Sequence, residues 1–181
     1  MSLAEFMSTD DIFLEPSGRS RAAVVEDFAR SELFDRTFRE GMELVEETAS
    51  YLDGDGRRES KLLSRAAALA YAGESMKLTT RLMQIASWLL VQRAVREGDM
   101  SPDAACEARY RIGAEAVCLG EAADEIDELP VGLLELLDRS VRLYERIRHL
   151  DRRMYLEAAG EEHAPSPVMA QFDRLKTAFG G

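Results

Sequence analysis

The sequence predicts an all-α protein, a bundle of three long helices with short accessory helices and flexible N- and C-terminal segments. Apolar residues recur at intervals of three and four over long stretches, as they do along one face of a helix. No stretch shows the every-second-residue alternation that is typical of a half-buried strand. With 181 residues, the chain is long enough to form one domain with one sizeable core.

The first 27 residues are predicted to form a flexible segment, because FLEPSGRSR combines turn-forming residues with little periodicity. RAAVVEDFAR, near the end of this segment, is compatible with a short helix. The first long helix is predicted from Ser31, a favourable N-cap residue, to Leu52, where DGDG at 53–56 interrupts it. The helical bundle is predicted to span residues 28–158.

The second helix is predicted to be the longest, from about Glu59 to Glu97, with Gly98 suited to the position after a helix. It carries two apolar stripes. The first follows a heptad-like alternation through Leu62, Ala66, Leu69, Gly73, Met76, Thr80, Met83, Ser87, Leu90 and Ala94. The second runs beside it through Tyr71, Ser75, Leu78, Leu82, Ile85 and Leu89. Two stripes predict a helix that packs on more than one side, and the breadth of this apolar surface predicts a homodimer.

The rest of the chain is predicted to be a short helix, a last long helix and a tail. Ser101 and Pro102 are suited to begin a short helix, and the last long helix is predicted from about Pro130 to Ala158. Residues 159–181 are predicted to be a flexible tail with a short amphipathic motif. The tail residues expected to bind a partner are Val168, Met169, Phe172, Leu175 and Phe179. Such a short helix is expected to fold against a groove, either on a partner or on its own bundle.

Charge and cysteine content exclude several classes of protein. A net charge of −11 argues against direct nucleic-acid binding, which requires a basic surface. The apolar stretch at 76–95 contains three charges, each costing about 2.5–3.5 kcal/mol at a bilayer centre, so we expect no membrane insertion. Cys106 and Cys118 form no disulfide framework, and no signal peptide is visible, so the sequence predicts a cytoplasmic protein.

No motif for catalysis or metal binding is found. The acidic loop at 53–56 lacks calcium ligands, because Arg57 and Ser64 occupy two of the required positions. The two cysteines do not combine with His149 and His163 in a zinc signature. Catalytic triads assemble in space, so the sequence leaves that alternative open. We expect no enzymatic activity, no metal and no cofactor.

A basic stripe on the last helix is a candidate for binding a partner. Arg139, Arg142 and Arg146 share one face with His149. They could receive an acidic segment of a partner, or pair within the chain. Intramolecular pairing is the favoured interpretation, either with the acidic run at 124–128 or with Glu43, Glu46 and Glu47 of the first long helix.

Trp88 is a second candidate. On a helical wheel it falls on the most polar side of the second helix, near Lys77 and Arg81. Aromatic residues are enriched at interface cores, so these three residues are candidate contact residues. The alternative, equally open, is that another helix or the N-terminal segment covers Trp88.

Three stretches resemble the family of the regulator of CtrA degradation, RcdA: FREGMELVEETASYLDG at 38–54, ESMKLTTRLMQIASWLLVQRAVREG at 74–98 and LLDRSVRLYERIRHLD at 136–151. The resemblance covers roughly residues 31–158. It implies a three-helix bundle that dimerises and acts as a non-enzymatic adaptor in cell-cycle proteolysis.

The partners that the resemblance implies are proteins. They are the ClpXP protease, primed by a response-regulator-like adaptor, together with cargo transcription regulators and further adaptors. The resemblance also implies concentration at a cell pole. The main alternative is a helical dimerisation or scaffold module without a role in proteolysis, and a ligand-binding or metal-dependent enzyme is third.

Overall fold

The computed structural model describes residues 20–156, which contain helices and no strand. The helices are α1 (Arg21–Ala29), α2 (Glu32–Asp53), α3 (Asp55–Glu59), α4 (Arg65–Glu97), α5 (Pro102–Ala105), α6 (Glu115–Cys118) and α7 (Val131–Leu156). Short 3-10 turns occur at Ser60–Leu62, Ala108–Tyr110 and Ile126–Glu128. The three long helices α2, α4 and α7 pack against one another, which confirms the predicted all-α bundle.

The predicted start of the bundle at residue 28 was too late. Residues 21–29 form α1, the short helix that the sequence allowed, and the Ser20 hydroxyl accepts a hydrogen bond from the Ala23 N–H. Val25 is fully buried, and the ring of Phe28 lies 5.6 Å from that of Trp88 between centroids. The segment at 21–27 is therefore part of the core, because its apolar residues cover α4.

The first long helix begins where predicted. The Ser31 hydroxyl accepts a hydrogen bond from the Phe34 N–H at 3.1 Å, which satisfies one of the free donors at the start of α2. Near the middle of α2, Gly41 packs directly against α4. A Cβ atom at Gly41 would lie 2.6 Å from Cδ1 of Leu89, so a larger residue there would require the Leu89 side chain to shift.

The predicted start of the second long helix at Glu59 was wrong. Residues 55–62 form α3 and a 3-10 turn, and Leu63 is extended with a ψ of 154°. Ser64 then caps a new helix, accepting a hydrogen bond from the Ala67 N–H at 3.2 Å. The predicted end is confirmed, since Gly98 follows α4 in the left-handed conformation with a φ of 82°.

The connection between α4 and α7 is largely irregular. Ser101 caps α5 as predicted, but that helix is only four residues long. Residues 99–130 pack along one side of α4 through α5, α6 and two 3-10 turns. Between residues 20 and 156, no helix has the length and apolar character needed to cross a membrane.

Candidate protein–protein interface

One apolar stripe of α4 faces the core. Leu78, Leu82, Ile85 and Leu89 are buried against α2 and α7. These residues belong to the second stripe found in the sequence, and they supply the contacts that hold the three long helices together.

The other apolar stripe faces outward. Leu69, Met76, Met83 and Leu90 are 69%, 72%, 63% and 51% exposed, and each is separated from the next by seven residues. Leu62, in the turn before α4, continues the spacing and is 86% exposed. An isolated exposed leucine is ordinary, whereas a row along one helix marks a surface that other protein can cover. We call Leu69, Met76, Met83 and Leu90, with the small residue that lies three positions before each of them, the outer stripe.

The small residues of the outer stripe are Ala66, Gly73, Thr80 and Ser87. Gly73 lies inside a long helix, where glycine costs about 1 kcal/mol relative to alanine. A Cβ atom at Gly73 would meet no atom within 4 Å. Packing within the protomer therefore gives no reason for a glycine here, whereas at Gly41 the close contact with Leu89 does.

The outer stripe carries no charge. Between Ala66 and Leu90, the charged residues of α4 are Glu74, Lys77 and Arg81, and none of them belongs to the stripe. Depletion of charge is a feature of interface cores, so the composition of the outer stripe favours contact with protein.

A groove between α2 and α4 extends this apolar surface. It encloses about 270 Å³, and its lining residues are Val45, Thr48, Ala49, Leu52, Thr79, Leu82, Met83 and Ala86. Met83 belongs to both the groove and the outer stripe. The two features therefore form one continuous apolar surface.

The prediction that Trp88 lies at a contact surface was wrong, because the side chain is buried inside the protomer. Trp88 is only 1% exposed, and its indole Nε1 donates a hydrogen bond to Oδ1 of Asp151 at 3.0 Å. The other carboxylate oxygen of Asp151 accepts from Nη2 of Arg111 at 2.8 Å. Phe28 of α1 covers the indole ring, so the alternative, in which the N-terminal segment hides Trp88, is the observed one.

Arg81 and Lys77 also contact their own chain. Arg81 is 3% exposed, and it donates from Nε to the Cys118 carbonyl at 2.8 Å and from Nη1 to the Ser140 hydroxyl at 2.6 Å. Burial lowers the pKa of Arg81 from its ordinary value. Lys77 donates to Oε1 of Glu74 at 2.8 Å and to the Glu121 carbonyl at 2.5 Å. In the protomer, both cations serve to attach the irregular connection to α4.

Two further polar residues of α4 have the same role, which the sequence did not reveal. Oε1 of Glu74 accepts from the Ala123 N–H at 3.1 Å, and Oε1 of Gln84 accepts from the Gly113 N–H at 3.1 Å. Irregular backbone that packs against a helix needs such partners for its N–H and C=O groups. The available signal was a row of polar residues at intervals of three and four, on a helix followed by a long non-periodic segment.

The basic stripe on α7 pairs within the chain. Arg139 lies 2.7 Å from Oε2 of Glu47, and Arg146 lies 2.5 Å from Oε1 of Glu40, both on α2. Arg142 lies 2.6 Å from Oδ2 of Asp138 on its own helix. The favoured intramolecular interpretation is thus observed, and Glu47 is one of the partners predicted for it. These pairs are solvated, so each is worth about 0.2–1 kcal/mol.

The described residues contain no cluster of histidine, cysteine or carboxylate side chains able to hold a metal ion. Cys118 is buried and Cys106 is partly buried, and burial raises the pKa of both thiols. Both cysteines therefore remain protonated at neutral pH and pack as small apolar residues.

The tail residues proposed to bind a partner, Val168, Met169, Phe172, Leu175 and Phe179, lie outside the described residues. The same holds for residues 1–19 of the predicted flexible N-terminal segment.

Comparison with known proteins places this chain in a family. Residues 25–179 match the model of a family described as a protein of unknown function, DUF1465. A search of curated proteins gave no match. The crystal structure of RcdA from Caulobacter crescentus CB15 is 69% identical to this chain, covering 72% of this chain and 98% of that one with a TM-score of 0.59. The chain therefore belongs to the DUF1465 family and, by its identity to the Caulobacter protein, to the RcdA family.

Proposed function

We propose that this protein is a non-enzymatic adaptor in regulated proteolysis, which helps to deliver cell-cycle transcription regulators to the ClpXP protease. The observation that carries the proposal is the uncharged outer stripe of α4, on a chain that belongs to the RcdA family. An adaptor acts by holding proteins together, so it needs exposed contact surfaces more than catalytic groups.

The proposed partners are proteins of three kinds. They are the protease with its response-regulator-like priming adaptor, the cargo regulators, and further adaptors. The proposed location is the cytoplasm, with concentration at a cell pole. We assign no cofactor to this function.

We further propose that the protein is a homodimer and that the outer stripe is its contact surface. Covering the stripe with a second copy removes apolar side chains from water on both sides of the interface. Because the stripe lacks charge, a second copy meets it without leaving buried charges unpaired.

Reconstituted proteolysis tests the adaptor role. Degradation of candidate cargo by ClpXP and its priming adaptor is followed with and without this protein. We expect faster degradation of at least one cargo, and saturation as the concentration of this protein rises. Unchanged rates for every cargo tested would contradict the adaptor role.

The alternative, a dimerisation or scaffold module without a role in proteolysis, is favoured by the same stripe. A pull-down from cell lysate separates the two functions. Protease subunits and transcription regulators in the bound fraction support the adaptor, whereas their absence beside other retained proteins supports the scaffold.

A further inference from the structure

We propose that residues 106–128 form a strap that detaches from the bundle as one unit while the three long helices stay folded. The strap is the part of the irregular connection that follows α5, and it contains α6 and two 3-10 turns. This opening is a property of the protomer, and it requires neither the adaptor role nor the homodimer proposed above.

The strap contributes little to the hydrophobic core. Cys118 is the only buried residue among positions 106–128, while Ile112, Leu119 and Ile126 are partly buried. A segment with few buried apolar contacts opens at a lower free energy than the core on which it lies. The preceding helix, α5, is different, because it packs against α1 and its Ala105 is fully buried. The strap therefore begins after α5.

Polar bonds attach the strap to the bundle. The Gly113 N–H donates to Oε1 of Gln84 at 3.1 Å, and the Gly113 carbonyl accepts from the Tyr144 hydroxyl at 2.6 Å. Further along the strap, the Ala123 N–H donates to Oε1 of Glu74 at 3.1 Å. Bonds of this kind add little net stability, because water replaces the partner when the strap leaves.

Two features near the middle of the strap oppose its attachment. Arg81 is 3% exposed, and within residues 20–156 its hydrogen-bond acceptors are the Cys118 carbonyl and the Ser140 hydroxyl, neither of which carries a charge. A buried cation without a carboxylate partner gains hydration when it becomes exposed. Ala114 has a φ of 57°, in the left-handed region that is unfavourable for alanine. Detachment of the strap relieves both.

The attachment points are too close together to release one at a time. Only four residues lie between Gly113 and Cys118, and four between Cys118 and Ala123. One point can move far into solvent only if its neighbours release as well. Opening therefore uncovers the polar side of α4 in a single step, and the buried contacts among α2, α4 and α7 remain.

Amide hydrogen exchange of the full chain, followed residue by residue by NMR, tests the strap. We expect the amides of Gly113, Cys118 and Ala123 to share one free energy of opening, below that of the buried helical amides of Ile85 and Ile147. Urea should increase strap exchange less steeply than helix exchange, because opening exposes less surface than unfolding. Equal free energies for strap and helices, or three different values within the strap, would overturn the proposal.

Tyr144→Phe tests whether the attachment points are coupled. The substitution removes the hydroxyl that donates to Gly113 and keeps the buried ring. We expect exchange at Ala123 to become about 2- to 10-fold faster, by the same factor as at Gly113, although Ala123 lies beyond α6. Faster exchange at Gly113 alone would overturn the single unit.

A stabilising variant covers the case in which the loss of the hydroxyl disturbs folding. Ala114→Gly relieves the left-handed backbone, so exchange at Gly113, Cys118 and Ala123 should slow together, by up to about fivefold. Ala122→Ser, at an exposed position of the strap, is the matched control and should leave exchange at these amides unchanged. Slower exchange at only one of the three amides in Ala114→Gly would contradict the proposal.

Discussion

Replacing Met76 with glutamate is expected to dissociate the proposed dimer without unfolding the protomer. Met76 is 72% exposed, so the substitution places a charge in water and should change the free energy of unfolding by less than about 0.5 kcal/mol. The side chain lies near the middle of the outer stripe, where a second copy would cover it. Each dimer would then contain two buried carboxylates with no cation in the stripe to pair them.

The magnitude follows from the exposed fractions. Large apolar side chains are worth about 1.5–3 kcal/mol when fully buried, and those of the outer stripe start half to three-quarters exposed. Covering them in two copies therefore yields roughly 8–15 kcal/mol, against an association cost of about 4–15 kcal/mol. A reversible dimer is expected. Its net free energy of association is small, so the cost of burying a charge at the interface would dissociate it.

Met76→Glu removes about 2–4 kcal/mol of this gain and adds a desolvation penalty of several kcal/mol. A total loss of at least about 4 kcal/mol raises the dissociation constant about a thousandfold. Sedimentation equilibrium between about 1 and 100 µM, the range in which a micromolar dimer dissociates, measures this change. Val131→Glu is the matched control, because Val131 is 69% exposed on α7 and lies outside the outer stripe. An unchanged dissociation constant for Met76→Glu would refute the reasoning.

Trp88→Ala is expected to lower the free energy of unfolding by about 3–5 kcal/mol in urea titrations, because it empties a buried site and leaves Asp151 without its indole donor. Ala114→Gly is expected to raise the free energy of unfolding by up to about 1 kcal/mol in thermal melts, because Ala114 has a φ of 57° that glycine adopts without strain. In the tail, Phe172→Ala with Leu175→Ala should leave bundle stability unchanged in urea titrations and slow degradation of at least one cargo in the reconstituted assay. Burial raises the pKa of Tyr155 to about 12, so stability should be full below pH 10 and fall as the pH rises toward 12, as measured by urea titrations at each pH.

Each of these expectations has a contrary result. Dimer loss with unchanged stability in Trp88→Ala would restore the interface interpretation of Trp88. Ala72→Gly, at an exposed position inside α4, is the control for Ala114→Gly and should lose about 1 kcal/mol. Unchanged delivery of every cargo would remove the tail from the mechanism. A Tyr155→Phe variant with the same pH profile would assign the alkaline loss to another group.

Periodicity predicted the three long helices because each contains a buried stripe at helical spacing. It placed the start of α4 too early, since Leu62 continues the heptad spacing although the backbone turns before Ser64. That break depends on a local serine cap, which competes with the apolar pattern.

The periodic pattern also failed to predict the burial of Trp88, for a different reason. The segments that surround it are the short helix containing Phe28 and the irregular connection containing Arg111, and neither has a long repeat. A wheel drawn for α4 alone shows a polar side, but it does not show that the polar groups bond to backbone from elsewhere in the chain. Conversely, the sequence showed the outer stripe. That the stripe is exposed could be known only from the positions of α2 and α7.

The most direct test of the claim that the outer stripe is a contact surface is the oxidation rate of Met76 and Met83 as a function of protein concentration. Peroxide converts accessible methionines to sulfoxides, and peptide mass spectrometry reads each site separately. Met154, which is 4% exposed, reports on the folded core. We expect both stripe methionines to oxidise readily in dilute protein and to become protected as the concentration rises, with Met154 slow throughout. The claim would be contradicted if the oxidation rates of Met76 and Met83 stayed the same at all concentrations, including those where the protein is a dimer by mass.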